Sequence, residues 1–265
     1  MTYIDLQHGS DSLRIYEQGA HISSWRCDKQ EQLFLSKHSA FSKGKAIRGG
    51  VPVIFPQFAA LGQGPRHGIL RTAQWQLEQQ NSDSLKFVCR STKQTQEQWP
   101  GDFEAHFCAQ LGERNLSMQL DIINTGQQSF EFAAALHTYL QLEDVRKVQL
   151  NGLKGSSYWD NGQDFSIRQQ EQQETLRVNN AIDRMYFDVQ TPLRLSEANQ
   201  HREITMSGFS EVVVWNPWAE DTAKLADMAD DEYLNMLCVE AAVVDKPVCL
   251  QAGEQWQGQQ KISLL

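Results

Sequence analysis

Several large classes of protein leave marks that this sequence of 265 residues lacks. It has no apolar run near the ~18 residues that a membrane-spanning helix needs, so we expect no membrane partner. Its first residues form neither a basic nor an apolar segment, so we expect no secretory signal. Its five cysteines form an odd set without a C-x-x-C pair, which disfavours a disulfide framework and a zinc finger. Reduced thiols in a cytoplasmic protein are the simplest interpretation.

Common catalytic and nucleotide-binding motifs are also missing. The chain contains no G-x-S-x-G, the turn that carries a nucleophilic serine, and no H-E-x-x-H, the zinc-binding pair of many metalloproteases. It contains neither G-x-x-x-x-G-K-[ST] nor G-x-G-x-x-G, which hold phosphates in many nucleotide-binding proteins. Any chemistry must therefore come from other residues.

Charge is unevenly distributed along the chain. The formal net charge is −9, which argues against nucleic-acid binding, because that function needs a basic face. Residues 32–77 contain no Asp or Glu, and we name this stretch the basic segment. Its six cations are Lys37, Lys43, Lys45, Arg48, Arg66 and Arg71. Such a segment either holds a small anion or forms a solvated basic face, and charge alone favours neither.

Short apolar or alternating runs, separated by turn residues, dominate the sequence. The clearest runs cover residues 85–89, 116–123, 130–140, 212–215 and 236–244. Many short strands at such spacing are typical of a β-sandwich or β-barrel. One short helix is predicted over residues 222–228, and no linker or repeat divides the chain. We therefore predict an all-β protein with few short helices and a single domain over residues 1–265.

A histidine lies in the run at 130–140. With the period of two of a strand, His137 shares a face with Ala133, Ala135 and Tyr139. Small neighbours leave space above that face for a ligand that approaches the imidazole. A structural histidine bonded to a backbone carbonyl is the competing interpretation, and for a single histidine it is the commoner one.

A single carboxylate, Glu240, interrupts the apolar run at 236–244. Such a run predicts a strand buried on both faces, where desolvation raises the pKa of a carboxyl group. A buried glutamate is either paired with a cation or amides, or it is a general base; the strand slightly favours the base.

Two glycine-containing loops carry arginines. Arg48 precedes Gly49 and Gly50, where backbone can approach a ligand closely. A second loop, at residues 62–71, carries Arg66, His67 and Arg71. Arginine suits phosphate because its planar guanidinium donates two hydrogen bonds at once.

Six motifs in order resemble those of the glucose-6-phosphate 1-epimerases, the hexose-6-phosphate mutarotases of the aldose 1-epimerase superfamily. They are IRGGVP at 47–52, PRHGILR at 65–71, ALHTY at 135–139, DRMY at 183–186, VWNPW at 214–218 and CVE at 238–240. The resemblance implies a galactose-mutarotase-like antiparallel β-supersandwich and a cytoplasmic enzyme without metal or cofactor, whose partner is a small sugar phosphate. We expect the protein to be a monomer.

The resemblance also implies roles for individual residues. It implies His137 as the catalytic acid and Glu240 as the catalytic base. The residues that it implies for substrate binding are Arg48 and Arg71 at the phosphate, and His67 and Asp183 at the sugar. Many relatives carry Gln where this chain has Arg66, which either adds a third phosphate contact or points to solvent.

The implied reaction interconverts the α and β anomers of a hexose 6-phosphate, with glucose 6-phosphate as the expected substrate. A base removes the proton of the C1 hydroxyl while an acid protonates the ring oxygen, so the ring opens and can close on the other face. Three alternatives remain: a mutarotase of neutral hexoses, a sugar-phosphate-binding sandwich without activity, and a glycoside hydrolase that uses Asp183 and Glu240.

Overall fold

The computed structural model describes residues 1–161, 167–190 and 192–265. In chain order, the strands of these residues are β1 (Tyr3–His8), β2 (Asp11–Tyr16), β3 (His21–Cys27), β4 (Gln30–Glu31), β5 (Val53–Ile54), β6 (Gln76–Gln80), β7 (Ser84–Arg90), β8 (Phe103–Gly112), β9 (Asn115–Asn124), β10 (Phe130–Leu136), β11 (Tyr139–Gln141), β12 (Gln149–Asn151), β13 (Ser157–Asp160), β14 (Gln169–Gln170), β15 (Thr175–Leu176), β16 (Ile182–Phe187), β17 (Leu193–Glu197), β18 (Gln200–Ser207), β19 (Glu211–Asn216), β20 (Met236–Leu250) and β21 (Gln255–Leu264). The helices are α1 (Lys93–Gln96), α2 (Trp218–Thr222) and the 3-10 helices Val145–Lys147 and Glu232–Asn235.

The strands form three sheets within the described residues. The first has the order β1-β2-β3-β4, and the largest has nine strands in the order β15-β12-β17-β18-β21-β9-β8-β7-β6. The third has eight strands, in the order β14-β13-β16-β19-β20-β10-β5, with β11 also paired to β20. Every pairing between these strands is antiparallel. The prediction of an all-β antiparallel fold with few short helices is confirmed.

The predicted helix at 222–228 is wrong. Helix α2 ends at Thr222, and turns with bonds from Leu225 N to Thr222 O and from Met228 N to Leu225 O follow it. The helix begins earlier because Asn216 Oδ1 accepts a hydrogen bond from Trp218 N. Pro217, the residue immediately before the helix, lies between them with a φ of −70°.

The predicted strand at 130–140 is divided, whereas the other four predicted runs lie within β7, β9, β19 and β20. Strand β10 ends at Leu136, and β11 begins at Tyr139. Between them, His137 N donates to Pro52 O and Val239 N donates to Thr138 O. Although the strand is divided, residues 137 and 138 therefore stay beside β20.

Strand β20 is buried on both faces, as the sequence predicts. Leu237, Val239 and Ala241 belong to a core cluster to which all three sheets contribute. Cys238 and Ala242, which alternate with them, pack into smaller clusters on the other side of the strand. Alternation along β20 therefore places Glu240 on the face that points away from the main core.

One register along β20 brings the two candidate catalytic residues together. Leu136 of β10 pairs with Ala241, and Tyr139 of β11 pairs with Cys238. Because the same register applies before and after the division of the strand, His137 lies directly opposite Glu240. Side chains directly opposite each other on antiparallel strands are close neighbours.

Among the described residues, no helix has the length and apolar character to cross a membrane.

Candidate active site

A cleft of about 720 Å³ opens on the face of the eight-stranded sheet that carries Glu240. Four of the six cations of the basic segment line it, so this stretch is more than a solvated face. These four are Lys45, Arg48, Arg66 and Arg71. The carboxylates that line it are Asp183, Asp227 and Glu240. All seven predicted site residues, namely Arg48, Arg66, His67, Arg71, His137, Asp183 and Glu240, line this cleft.

His137 and Glu240 form a close pair in the cleft. His137 Nδ1 lies 3.3 Å from Glu240 Oε1, and only 1% of the Glu240 side chain is exposed. In the part of the chain that the structure describes, neither His137 Nδ1 nor Glu240 Oε2 has a hydrogen-bond partner. Buried polar atoms without partners are uncommon in folded proteins and often mark a functional position.

The surroundings of this pair disfavour charge on both members. Burial lowers the pKa of His137 well below 6.5, and nearby His67, Arg48 and Arg71 lower it further. Burial raises the pKa of Glu240 well above 4.5, and the carboxylate of Asp183 adds to the effect. Without substrate, the pair therefore favours a neutral imidazole beside a protonated carboxyl group.

His67 faces the pair as a second neutral imidazole. Its ring centroid lies 5.5 Å from that of His137, and burial lowers its pKa to about 3. Its Nδ1 accepts a hydrogen bond from Ala59 N at 3.3 Å, so in the neutral ring Nε2 carries the proton. His67 has a φ of 62°, a left-handed conformation that non-glycine residues adopt mainly in turns and functional sites. The loop therefore presents a fixed hydrogen-bond donor.

Arg48 enters the cleft from the segment before β5. Its Nη1 donates to the hydroxyl of Tyr139 at 3.0 Å, and its Nη2 lies 3.1 Å from Asp227 Oδ1. Gly49 and Gly50, which follow it, approach the protein's own backbone, whereas the sequence predicted an approach to ligand. A Cβ at Gly50 would lie 2.0 Å from Ile22 O, and one at Gly49 would lie 2.4 Å from Phe34 O. The two glycines therefore fix the base of the Arg48 side chain.

Arg66 and Arg71 are two cations of the cleft that form no ion pair with the described residues. Arg71 Nη2 donates to Arg66 O at 2.6 Å, and no carboxylate of the described residues lies within 4.0 Å of either guanidinium. Burial and the nearby Arg48 and Arg66 lower the pKa of Arg71. An arginine nevertheless remains protonated at pH 7. Clustered cations without a counter-ion are suited to an anionic ligand.

Asp183 lies across the cleft on β16. Its Oδ2 accepts a hydrogen bond from Asn161 Nδ2 at 2.5 Å, and burial raises its pKa. Two strand spacings, about 10 Å between backbones, separate β16 from β20. Glu240 therefore has His137 as its close neighbour, and the second carboxylate lies further along the sheet.

Three further cleft residues were not predicted as site residues. Tyr139 stacks on His137, Trp215 lies edge-on to both rings, and Asp227 pairs with Arg48. The alternation of residues 130–140 placed Tyr139 on the face of His137, and Trp215 lies in a motif of the resemblance. Nothing in the sequence indicated the contact of Asp227 with an arginine 179 residues earlier.

A group of possible metal ligands lies at the floor of the cleft. Donor atoms of His137, Cys238 and Glu240 lie within 4.8 Å of one another, and thiolate, imidazole and carboxylate are the ligand types of zinc. Burial raises the pKa of the Cys238 thiol well above 9.0, so without an ion the thiol is protonated.

Three comparisons relate this chain to known proteins. The family model described as aldose 1-epimerase matches residues 3–263. A protein of Cenchrus ciliaris named "putative glucose-6-phosphate 1-epimerase" is 31% identical over 94% of this chain and 80% of its own length. A protein of Escherichia coli K12 with the same name is 33% identical over 85% of this chain and 77% of its own length.

The solved structures agree with the sequence comparisons. A Salmonella typhimurium protein described as a "putative mutarotase (YeaD)" superposes with a TM-score of 0.91 at 27% identity. The match covers 99% of this chain and 90% of that one. The antiparallel sandwich and the family match define the class of this protein as an epimerase, an isomerase that acts on sugars. The chain belongs to the aldose 1-epimerase family.

Proposed function

We propose that this enzyme interconverts the α and β anomers of a hexose 6-phosphate, with glucose 6-phosphate as the expected substrate. The observation that carries the proposal is one cleft in which the His137–Glu240 pair lies near unpaired Arg66 and Arg71. The pair suits the chemistry at the anomeric carbon, and the arginines suit a phosphate. The two relatives named "putative glucose-6-phosphate 1-epimerase" support the same substrate.

The side-by-side arrangement of the pair suits mutarotation. The two oxygens that exchange protons, the C1 hydroxyl and the ring oxygen, are bonded to the same carbon. The groups that serve them must therefore lie close together, and the 3.3 Å between His137 Nδ1 and Glu240 Oε1 meets this need. An acid and a base on opposite walls of a wide cleft would not.

Each ring opening moves one proton from the substrate to the enzyme and one from the enzyme to the substrate. In ring opening, the Glu240 carboxylate takes the C1 hydroxyl proton while the His137 imidazolium gives a proton to the ring oxygen. The C1–O5 bond breaks, its electron pair stays on O5, and C1 becomes the aldehyde carbon. After rotation about C1–C2, O5 attacks the other face of the aldehyde and both protons return.

The burial of the pair assists the ring-opened state in this scheme. Before ring opening the pair is charged, and after it the imidazole and the carboxyl group are both neutral. Burial favours the neutral form of both groups, so the environment favours the state that accompanies the open-chain sugar. The charged pair and the neutral pair hold the same number of protons, so the step needs no proton from solvent.

Binding of the two ends of the substrate is assigned to different residues. Arg71, Arg48 and Arg66 bind the 6-phosphate through charge-assisted hydrogen bonds. His67 Nε2 donates to a sugar oxygen, and Asp183 accepts from sugar hydroxyls while Asn161 holds its carboxylate in place. This division fixes C1 at the pair when C6 is at the arginines.

A coupled assay that follows anomer interconversion tests the proposal. With the uncatalysed rate subtracted, kcat/KM should be higher for glucose 6-phosphate than for free glucose. Equal values would favour a mutarotase of neutral hexoses, and no turnover of either would favour a binding protein.

Other expectations stay predictions. They are a single domain over residues 1–265, a monomeric state, a cytoplasmic location, and independence from metals, cofactors, nucleic acids and membranes.

A further inference from the structure

Tyr139 lies between the arginine and the histidine that the proposed function uses. Its ring is parallel to that of His137, with an interplanar angle of 8° and centroids 4.8 Å apart. Its hydroxyl accepts a hydrogen bond of 3.0 Å from Arg48 Nη1. Only 2% of Tyr139 is exposed, so other residues enclose its ring. One side chain therefore contacts an implied phosphate-binding residue and an implied catalytic residue.

The backbone joins the same two regions. Tyr139 N donates to Gly50 O at 3.0 Å, and Phe34 N donates to Tyr139 O at 3.0 Å. Gly50, two residues after Arg48, has no room for a side chain against Ile22 O. The segment that carries Arg48 and the strand that carries Tyr139 are thus fixed to each other at both the main chain and the side chain.

Charge connects the two ends as well. Arg48 and Arg71 both lower the pKa of His137, because their positive charges disfavour an imidazolium. A bound phosphate dianion offsets those charges. His137 then holds the proton that it must give to the ring oxygen more readily. The phosphate therefore has an electrostatic influence on the catalytic histidine in addition to the contact through Tyr139.

We infer, on the basis of the proposed function, that Tyr139 is a positioning residue that transmits phosphate binding at Arg48 to His137. When the phosphate binds the Arg48 guanidinium, the hydrogen bond from Arg48 to the Tyr139 hydroxyl holds the Tyr139 ring in the catalytic orientation. The imidazole of His137, which stacks on that ring, is held with it. The phosphate then contributes to kcat as well as to affinity, which is the mark of binding energy used in the transition state.

The substitution Tyr139→Phe tests this inference, because it keeps the stacked ring and removes the contact with Arg48. We expect kcat for glucose 6-phosphate to fall about tenfold, the scale of one hydrogen bond to a charged group, with little change in KM. Free glucose, which leaves the arginines empty, should be turned over at the rate of the unsubstituted enzyme.

Tyr158→Phe is the matched control. Tyr158 is a buried tyrosine of the same sheet whose hydroxyl donates to Gln169 Oε1 at 2.9 Å, and it does not line the cleft. Tyr158→Phe should turn over both substrates at the rate of the unsubstituted enzyme. Equal losses of Tyr139→Phe on both substrates, a change in KM alone, or no change would overturn the inference while leaving the proposed function intact.

A second measurement uses the unsubstituted enzyme and does not depend on the folding of a variant. Inorganic phosphate, at concentrations shown by calorimetry to occupy its site, should raise the enzymatic turnover of free glucose after subtraction of phosphate's own catalysis. Phosphate that binds without raising turnover would overturn the inference. If the enzyme turned over neither glucose 6-phosphate nor glucose, the proposed function itself would be wrong.

Discussion

Glu240 and His137 lie opposite each other on neighbouring strands, with Oε1 and Nδ1 3.3 Å apart at one wall of the cleft. The Glu240 side chain is almost completely buried, and no cation other than the imidazole lies within ion-pair distance in the described chain. A carboxyl group held in this way costs stability when it ionises, and this cost has consequences that can be measured.

Replacing Glu240 by Gln should abolish most turnover and retain substrate binding. The amide keeps the shape of the side chain but cannot accept the C1 hydroxyl proton, so kcat should fall by about 10²-fold or more. Equilibrium binding of glucose 6-phosphate, measured by calorimetry, should change little. Glu211→Gln is the control, because Glu211 is also a buried carboxylate with a raised pKa but does not line the cleft. A Glu240→Gln enzyme with near-native kcat would show that this carboxylate is structural.

The same substitution should stabilise the protein as the pH rises. The folded-state pKa of Glu240 is raised, so its favourable contribution is complete below about pH 4.5 and is lost as the pH rises through the folded-state value. Gln does not ionise. The difference in free energy of unfolding should therefore grow in favour of Gln above pH 4.5, by at most about 1.4 kcal/mol per pH unit. Urea unfolding at a series of pH values measures it, and a difference independent of pH would contradict the account.

Replacing Asp183 by Asn should move the alkaline limb of the pH profile to lower pH. The active pair holds one proton, and activity falls at alkaline pH when that proton is lost. The negative charge of Asp183 helps to retain it by raising the pKa of Glu240. The ratio of kcat for variant and unsubstituted enzyme across pH isolates this effect, since the phosphate of the substrate titrates in both. A reduced rate with an unshifted profile would limit Asp183 to substrate binding.

Removing Arg71 should reduce turnover of the phosphorylated sugar without reducing that of free glucose. Its guanidinium has no carboxylate partner among the described residues, so Arg71→Ala breaks no ion pair of the fold. A lost hydrogen bond to a charged group, worth about 1.5–3 kcal/mol, lowers kcat/KM for glucose 6-phosphate roughly ten- to hundredfold. Arg90→Ala, which removes an exposed arginine paired with Glu104, is the control and should change neither substrate. Equal losses on glucose would mean that Arg71 holds the loop.

Local patterns in the sequence predicted the environment of the site better than its contacts. A single carboxylate in an apolar run predicted the burial of Glu240, and alternation predicted the shared face of His137 and Tyr139. Both inferences need only the period of a strand. The position of His137 opposite Glu240 depends on the register between β10, β11 and β20, which no local pattern encodes.

Contacts between distant segments account for the other differences. Arg48 lies 91 residues from Tyr139 and 179 from Asp227, so neither contact could be predicted from spacing. The glycines beside Arg48 did indicate a close approach, but the sequence could not tell that Ile22 O, and not a ligand, is the neighbour of Gly50.

Magnetisation exchange between the α and β anomeric protons of glucose 6-phosphate at equilibrium tests the central claim most directly, because it observes the interconversion itself in both directions. The account predicts an exchange rate that rises in proportion to enzyme concentration, is lower for free glucose under the same conditions, and returns to the uncatalysed value with Glu240→Gln. Exchange that does not depend on the enzyme for any hexose 6-phosphate, or that persists undiminished with Glu240→Gln, would contradict it.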